Sequence, residues 1–113
     1  MRENTRYAKM FGRNAKIITN INKEDKSVTT IIYVDEYKVI ATANCSPEDV
    51  FNEEYGSKLS YLRAKRALCS TLKEEAIALQ RALRKEINDL ERYKNKVQRS
   101  REQATDKIKE MYN

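Results

Sequence analysis

Three short runs rich in isoleucine, valine, threonine and tyrosine follow a polar N-terminal segment. Side chains of these types suit a pleated, half-buried surface, so each run predicts a β-strand. The polar stretches KEDKS and DEY separate the runs and are typical of hairpin connections. We therefore expect a three-stranded antiparallel β-meander over residues 15–44, built from AKIITNIN, VTTIIYV and KVIATA. Residues 1–14 are mostly polar and predict a short helix or a loose arm.

The second half of the chain is patterned as helix. After Gly56 it contains no glycine or proline, and its apolar residues recur at intervals of seven. Sustained heptads predict a coiled coil or long antiparallel helices, and helices of this length need packing partners to be stable. One stripe consists of Leu62, Cys69, Ala76, Leu83, Leu90, Val97, Ala104 and Met111, and a companion line of Leu72, Leu79, Ile87, Tyr93 and Ile108.

Two capping signals bear on where helices begin. Ser46, with Pro47 after it and Asp49 three positions on, predicts a short helical turn that leads into the long helix. Thr71 and Glu74 form a second capping box, which would start a new helix that folds back on residues 53–69. The heptad stripe passes this point without a phase shift, as a continuous helix would require. We favour two helices, or one kinked helix.

These elements define the expected fold class: α+β, an N-terminal antiparallel β-meander followed by long C-terminal helices with coiled-coil-like heptads. A chain of 113 residues allows one domain. We divide that single domain into an arm (1–14), a β-meander (15–44) and a helical region (45–113). A core this small favours self-association, so we expect a homo-oligomer.

Charge is distributed unevenly. Residues 1–56 hold 8 basic and 9 acidic side chains, whereas residues 57–113 hold 15 basic and 8 acidic ones. A basic helical region suggests anionic partners such as nucleic acid, a nucleotide or an acidic protein surface. The alternative is a solvated coiled-coil exterior whose lysines and arginines serve solubility alone.

The residue inventory argues against an enzyme. There is no histidine and no glycine-rich phosphate loop, so histidine-based catalysis and the common nucleotide-binding motifs are excluded. Helix capping explains the acidic cluster of Glu48, Asp49, Glu53 and Glu54 better than metal binding or catalysis does. We therefore expect no catalytic residues, no metal site and no cofactor.

Two cysteines do not make a disulfide framework, and we read Cys45 and Cys69 as free thiols that act as small buried hydrophobic groups. The N-terminus lacks the apolar segment of a signal peptide, and no apolar run approaches the length of a membrane span. We expect a protein of the reducing cytoplasm that has no membrane partner.

The junction between the strands and the long helix holds the first candidate binding site. Arg63 and Arg66 share one side of the predicted helix, and arginines can clamp phosphate groups with two parallel hydrogen bonds. Tyr61 or Phe51 would stack a base, and Asn44 would read a base or ribose. The alternative is an ordinary surface helix with salt bridges and core leucines.

A second basic zone lies further along the helical region. Arg92, Lys96 and Arg99 are candidates to follow a nucleic-acid backbone, which would give salt-dependent binding. Many coiled coils carry similar basic faces, so the signal has low specificity.

The segment ATANCSPEDVFNEEYGSKLSYLRAK, about a quarter of the chain, resembles a pattern found in small bacteriophage accessory proteins: C-x-P-x-D-x-F, then G-x-x-L-x-x-x-R-A. The matching residues are Cys45, Pro47, Asp49, Phe51, Gly56, Leu59, Arg63 and Ala64. The resemblance implies a phage or prophage origin and the cytoplasm of a host cell, and it implies no particular activity. In architecture, a β-rich front and α-helical back in a small oligomer also looks like the phage anti-Thoeris proteins that sequester a cyclic ADP-ribose-type signal.

That likeness leads to one functional expectation. The protein would be a non-enzymatic phage protein that counters host defence by sequestering a small anionic nucleotide signal at a subunit junction, or by binding a host defence protein. The ligand-binding residues would be Asn44, Phe51, Tyr61, Arg63 and Arg66. One alternative is a nucleic-acid-binding protein that uses its basic helical region, and another is a protein–protein inhibitor or adaptor coiled coil.

Overall fold

The computed structural model, which describes residues 1–112, shows a four-stranded antiparallel sheet followed by one long helix. The strands are β1 (Arg2–Met10), β2 (Arg13–Asn22), β3 (Ser27–Val34) and β4 (Tyr37–Asn44), in the spatial order β1-β2-β3-β4, and the helix is α1 (Glu53–Tyr112). The predicted α+β class with an N-terminal meander is confirmed. The chain divides into two compact units, one from Met1 to Lys73 and one that begins at Glu74.

The first strand lies where the sequence predicts an arm. β1 pairs with β2 from Arg2 to Met10, so the prediction of a short helix or a loose arm over residues 1–14 is wrong, and the sheet has four strands rather than three. Its polar side chains suit an edge strand, which is exposed to solvent. A two-residue turn joins it to β2, and Phe11 and Gly12 have φ angles of 54° and 75°, as the twist of paired strands favours.

The core lies between one face of the sheet and the beginning of α1. Ile17 and Ile32 are cross-strand neighbours on this face, and both are almost fully buried. Val34 extends the same face, and Leu68 of α1 packs into the cluster that they form. Burying side chains of this kind stabilises the fold by roughly 1.5–3 kcal/mol each.

Small residues bring the first turns of α1 close to the sheet. Gly56, Ser60 and Ala64 follow one another at intervals of four and are buried. A Cβ atom on Gly56 would lie 2.8 Å from Cγ2 of Val28, so only glycine permits this separation. The Oγ atom of Ser60 lies 3.1 Å from the Ser57 carbonyl oxygen, to which it donates, and 2.7 Å from Oγ1 of Thr30. Since the serine proton is used, the Thr30 hydroxyl donates to Ser60.

The long helix has a cap of its own, after the turn that the sequence predicts at Ser46. Residues 46–49 form a turn closed by a hydrogen bond from the Asp49 N–H to the Ser46 carbonyl, 3.0 Å, and no helix follows it directly. The cap of α1 is Asn52, whose Oδ1 atom accepts from the Tyr55 N–H at 3.0 Å. The turn that the sequence predicts at Ser46 is present, and the Ser46 Oγ atom accepts from the Glu48 N–H at 3.5 Å, but α1 starts separately from it, at Asn52.

The helix also continues where a break was favoured. α1 runs through Thr71 and Glu74, so the prediction of a second helix that folds back is wrong. The Thr71 hydroxyl donates to the Ala67 carbonyl at 3.2 Å, as threonine does inside a helix, and is not available as a cap. Within residues 1–112 no helix is long and apolar enough to cross a membrane.

The two thiols differ in environment. Neither cysteine forms a disulfide, Cys45 is half-buried and Cys69 is exposed. The expectation of a buried hydrophobic role is wrong for Cys69, because the core-facing side of α1 at this level is taken by Leu68.

Candidate functional site

The face of the sheet that points away from α1 is uncovered in the described structure. Strand side chains alternate between the two faces, so the neighbours of the buried core residues form this second face. Three rows of cross-strand neighbours cross it, and we call them together the open face. The rows are Tyr7, Lys16, Tyr33 and Lys38; then Thr5, Ile18, Ile31 and Ile40; then Glu3, Asn20, Thr29 and Thr42.

The first row alternates aromatic and basic side chains across all four strands. Tyr7 is 76% exposed, and Lys16 and Lys38 are also exposed, whereas Tyr33 is half-buried between them. The Lys38 Nζ atom lies 5.6 Å from the centroid of the Tyr33 ring, within the range of a cation–π contact. With strands about 4.8 Å apart, the row is roughly 14 Å long. The row places tyrosine rings and lysine ammonium groups next to one another across the sheet.

The charge of the open face is mainly positive. The three rows carry two lysines, Lys16 and Lys38, and one acidic residue, Glu3, and Lys9 lies beside them on the same face of β1. The isoleucine row beside them is partly exposed, with Ile40 at 54%. Exposed aromatic and aliphatic surface next to ammonium groups suits a ligand that has flat apolar rings and negative charges.

A small cavity lies where β4 leads into α1. Its volume is about 260 Å³, and its lining includes Asn44, Cys45, Phe51, Tyr55 and Leu59. No lysine or arginine lines it. It lies slightly below the size of typical ligand pockets, roughly 300–1,000 Å³. Its chemistry suits a small, mostly apolar group and lacks the cation that a phosphate would require.

Lys26 anchors the loop that borders this cavity. Its Nζ atom donates to the carbonyl oxygens of Pro47, at 2.9 Å, and Asp49, at 2.8 Å. Its own carbonyl accepts from the Cys45 N–H at 2.8 Å. Lys26 therefore neutralises backbone dipoles of the loop and holds it beside the β2–β3 turn.

The structure does not gather the five predicted ligand-binding residues in one place. Asn44 and Phe51 meet at the cavity, whereas Arg63 donates to the Thr42 carbonyl on β4 at 3.1 Å. The Tyr61 ring stacks beneath the Arg6 guanidinium of β1, 5.1 Å from its centroid. Since β1 and β4 are opposite edges of the sheet, Tyr61 and Arg63 lie on opposite sides of the helix.

The remaining predicted site residues are exposed basic side chains on α1. Arg66 is exposed on α1, and so are the nucleic-acid candidates Arg92, Lys96 and Arg99. No described ion pair involves these four side chains. They are accessible to solvent, and the structure adds no concave surface around them.

Within the acidic cluster, Glu53 forms ion pairs that connect α1 to the sheet. Glu53 accepts from Arg2 at 2.8 Å and forms an ion pair with Lys23 at 3.4 Å. Desolvation raises the pKa of the Glu53 carboxyl, but the hydrogen bonds and charges of Arg2 and Lys23 outweigh it and lower that pKa below its ordinary value. Among residues 1–112, no three cysteines or carboxylates are grouped in a way that would hold a metal ion.

The row of Tyr7, Lys16, Tyr33 and Lys38 cannot be recognised in the sequence, for a definable reason. Its four members come from four strands and become neighbours only through the pairing register. Tyr7 falls in the segment predicted as an arm, which removes it from any sheet. The usable signal is the pair of short hairpin turns, because a two-residue connection fixes which residues face one another.

No protein-family model matches this chain, no curated protein is similar to it at a significant level, and no solved structure matches it. The likeness to small phage accessory proteins therefore stays a prediction.

Proposed function

We propose that this protein is a non-enzymatic binding protein that holds single-stranded nucleic acid on the open face of its sheet. The proposal rests on the row of Tyr7, Lys16, Tyr33 and Lys38, which alternates rings and ammonium groups across the four strands. Bases stack on exposed tyrosine rings, and lysines neutralise the phosphates between them. A flat, open sheet admits splayed single-stranded bases, whereas a duplex hides its base faces.

The charge and the shape of the open face favour this ligand over a small nucleotide in the junction cavity. The cavity brings together only Asn44 and Phe51 of the predicted residues and has no basic lining. Arg63 already donates to the Thr42 carbonyl, so binding phosphate would require this hydrogen bond to break. The lysines of the open face have no such competing task among the described carboxylates.

The test is fluorescence polarisation with a labelled single-stranded oligonucleotide of about 12 nucleotides, long enough for one sheet surface. We expect affinity to fall steeply with salt, and Tyr7→Ala to weaken binding by about 5- to 150-fold, the range of one lost stacking contact. Tyr7→Phe keeps the ring and should bind as the unmodified protein does. Lys16→Gln should reduce the slope of log affinity against log salt by about 0.7.

A matched control is Arg92→Gln combined with Arg99→Gln, which removes two charges from the alternative site on α1. It should leave the Tyr7-dependent binding unchanged apart from a small electrostatic loss. If this control abolishes binding while Tyr7→Ala has no effect, nucleic acid binds the helix and not the sheet. Absence of binding at low salt, or equal competition by a mononucleotide, would reject the proposal.

A further inference from the structure

We infer that residues 76–111 of α1 pair with the same segment of a second copy of this chain, in antiparallel orientation and centred near Tyr93. None of these residues is buried in the described structure. The apolar stripe is open to solvent along its length, with Leu83 50% and Leu90 66% exposed. At 1.5 Å per residue it is about 53 Å long.

A stripe of this kind requires a partner helix. Helical stability in water comes mainly from burying an amphipathic face, and a soluble monomer seldom exposes so long an apolar surface. The seven-residue spacing fits another helix that packs along the same line.

The stripe matches its own reversal. Of the ten stripe and companion positions between residues 76 and 111, eight have an apolar residue at the same distance on the other side of the midpoint between Tyr93 and Lys94, whereas Ile87 falls opposite Ser100 and Tyr93 opposite Lys94. Two antiparallel copies therefore bring most of these apolar side chains to the same levels along the pair. The matching positions are Ala76 with Met111, Leu79 with Ile108, Leu83 with Ala104, and Leu90 with Val97. Evenly spaced positions are symmetric about their midpoint in any case, so this match is compatible with a second copy, and the distribution of charges is what favours one.

The charges follow the same symmetry with opposite sign. Residues 86–91 hold three acidic and no basic side chains, and residues 96–101, their counterparts on reversal, hold three basic and no acidic ones. The basic stretch 81–85 likewise faces 102–106, which contains Glu102 and Asp106. A parallel pair in register would instead place each block beside its own copy, where like charges repel.

Asp89 and Lys96, at the edge of the stripe, provide a test of this charge complementarity. Asp89 and Lys96 are one heptad apart and therefore lie on the same side of it. Antiparallel pairing about this midpoint places Asp89 of each copy two residues, about 3 Å along the axis, from Lys96 of the other, which is within side-chain reach and occurs twice in the dimer. Parallel pairing would bring Lys96 close to Arg101 of the partner instead, so substitution of Lys96 has opposite effects in the two arrangements.

The first experiment is sedimentation equilibrium of the full chain. We expect a dimer that Leu83→Asp dissociates, and Lys96→Glu should weaken it about tenfold or more by creating two repulsive pairs. Combining Lys96→Glu with Asp89→Lys should restore the dimer. A monomer at all concentrations overturns the inference, and so does tighter association of Lys96→Glu, which indicates parallel pairing.

Cysteine cross-linking tests the orientation directly, in full-length protein with Cys45→Ala and Cys69→Ser. With Leu83→Cys alone, the two thiols of an antiparallel dimer are about 30 Å apart along the axis, and a short bismaleimide should not join the chains. Adding Ala104→Cys should give covalent dimers in high yield. Cross-linking by Leu83→Cys alone would contradict antiparallel pairing.

Discussion

The two compact units of this chain derive their stability from different sources. The head, residues 1–73, has an internal core in which Ile17, Ile32 and Leu68 are almost fully buried. The tail, residues 74–112, is helical throughout and buries none of its residues. One helix is thus part of a folded core at one end and exposed to solvent further along. Substitutions should therefore change unfolding in one unit and association in the other.

The largest expected difference comes from shortening one leucine in each unit. Leu68→Ala should lower the free energy of unfolding of the head by about 2–5 kcal/mol, because it leaves a cavity in the core. Leu83→Ala should change head unfolding by less than about 0.5 kcal/mol, because its side chain is exposed, and should weaken association instead. Urea unfolding followed by near-ultraviolet circular dichroism measures the first effect. Equal destabilisation by both substitutions would contradict the view that only the head has an internal core.

The next effect tests the close approach of α1 to the sheet. Gly56→Ala should destabilise the head by about 1–3 kcal/mol, although alanine is the better helix former, because the new Cβ atom meets Val28 at 2.8 Å. Adding Val28→Ala makes room, so the double variant should be more stable than the sum of the two single effects predicts. Additive losses in urea unfolding would show that the two side chains do not compete for space.

The sequence predicts β2, β3 and β4 to within two residues because their isoleucines, valines and threonines are dense and locally clear. It does not predict β1, whose nine residues are mostly polar. The strand is stabilised by pairing with β2 and by the turn at Gly12, and such pairing is not a property of its own composition. Local composition thus identifies the three strands that are rich in β-forming residues, including the edge strand β4, and misses the polar strand β1.

Local sequence also fails to predict where α1 starts and that it continues without a break. Ser46 and Asn52 are both residues that cap helices well, and the sequence alone does not show which of them starts α1. The start of α1 depends on the loop that Lys26 holds in place. Thr71 has the signature of a cap, but its hydroxyl bonds within a helix that is already formed. The candidate site was predictable only in part. The sequence indicates basic and aromatic residues near the junction. The row of Tyr7, Lys16, Tyr33 and Lys38 depends on the register of all four strands.

A smaller effect is expected from the buried hydroxyl pair between helix and sheet. Thr30→Val keeps the shape of the side chain and removes one hydrogen bond, and Ser60 retains its bond to the Ser57 carbonyl. The loss should therefore be about 1 kcal/mol, the usual net value of one bond. Urea unfolding measures it, with Thr5→Val on the exposed strand β1 as the control. A loss of more than about 3 kcal/mol would show that Ser60 depends on Thr30 for its hydrogen bonding.

The smallest effect depends on pH and concerns the ion pairs that Glu53 forms with Arg2 and Lys23. The pKa of Glu53 is lowered in the folded protein, so its contribution to stability is present above the pKa of the unfolded chain and is lost as the pH falls through the lower folded pKa. Glu53→Gln should therefore destabilise the head at neutral pH, and the difference from the unmodified protein should shrink as the solution becomes acidic. Urea unfolding over a pH series measures this, with the exposed Glu54→Gln as control. A difference that persists unchanged below the folded pKa would mean that the shape of the Glu53 side chain, rather than its charge, ties α1 to β1.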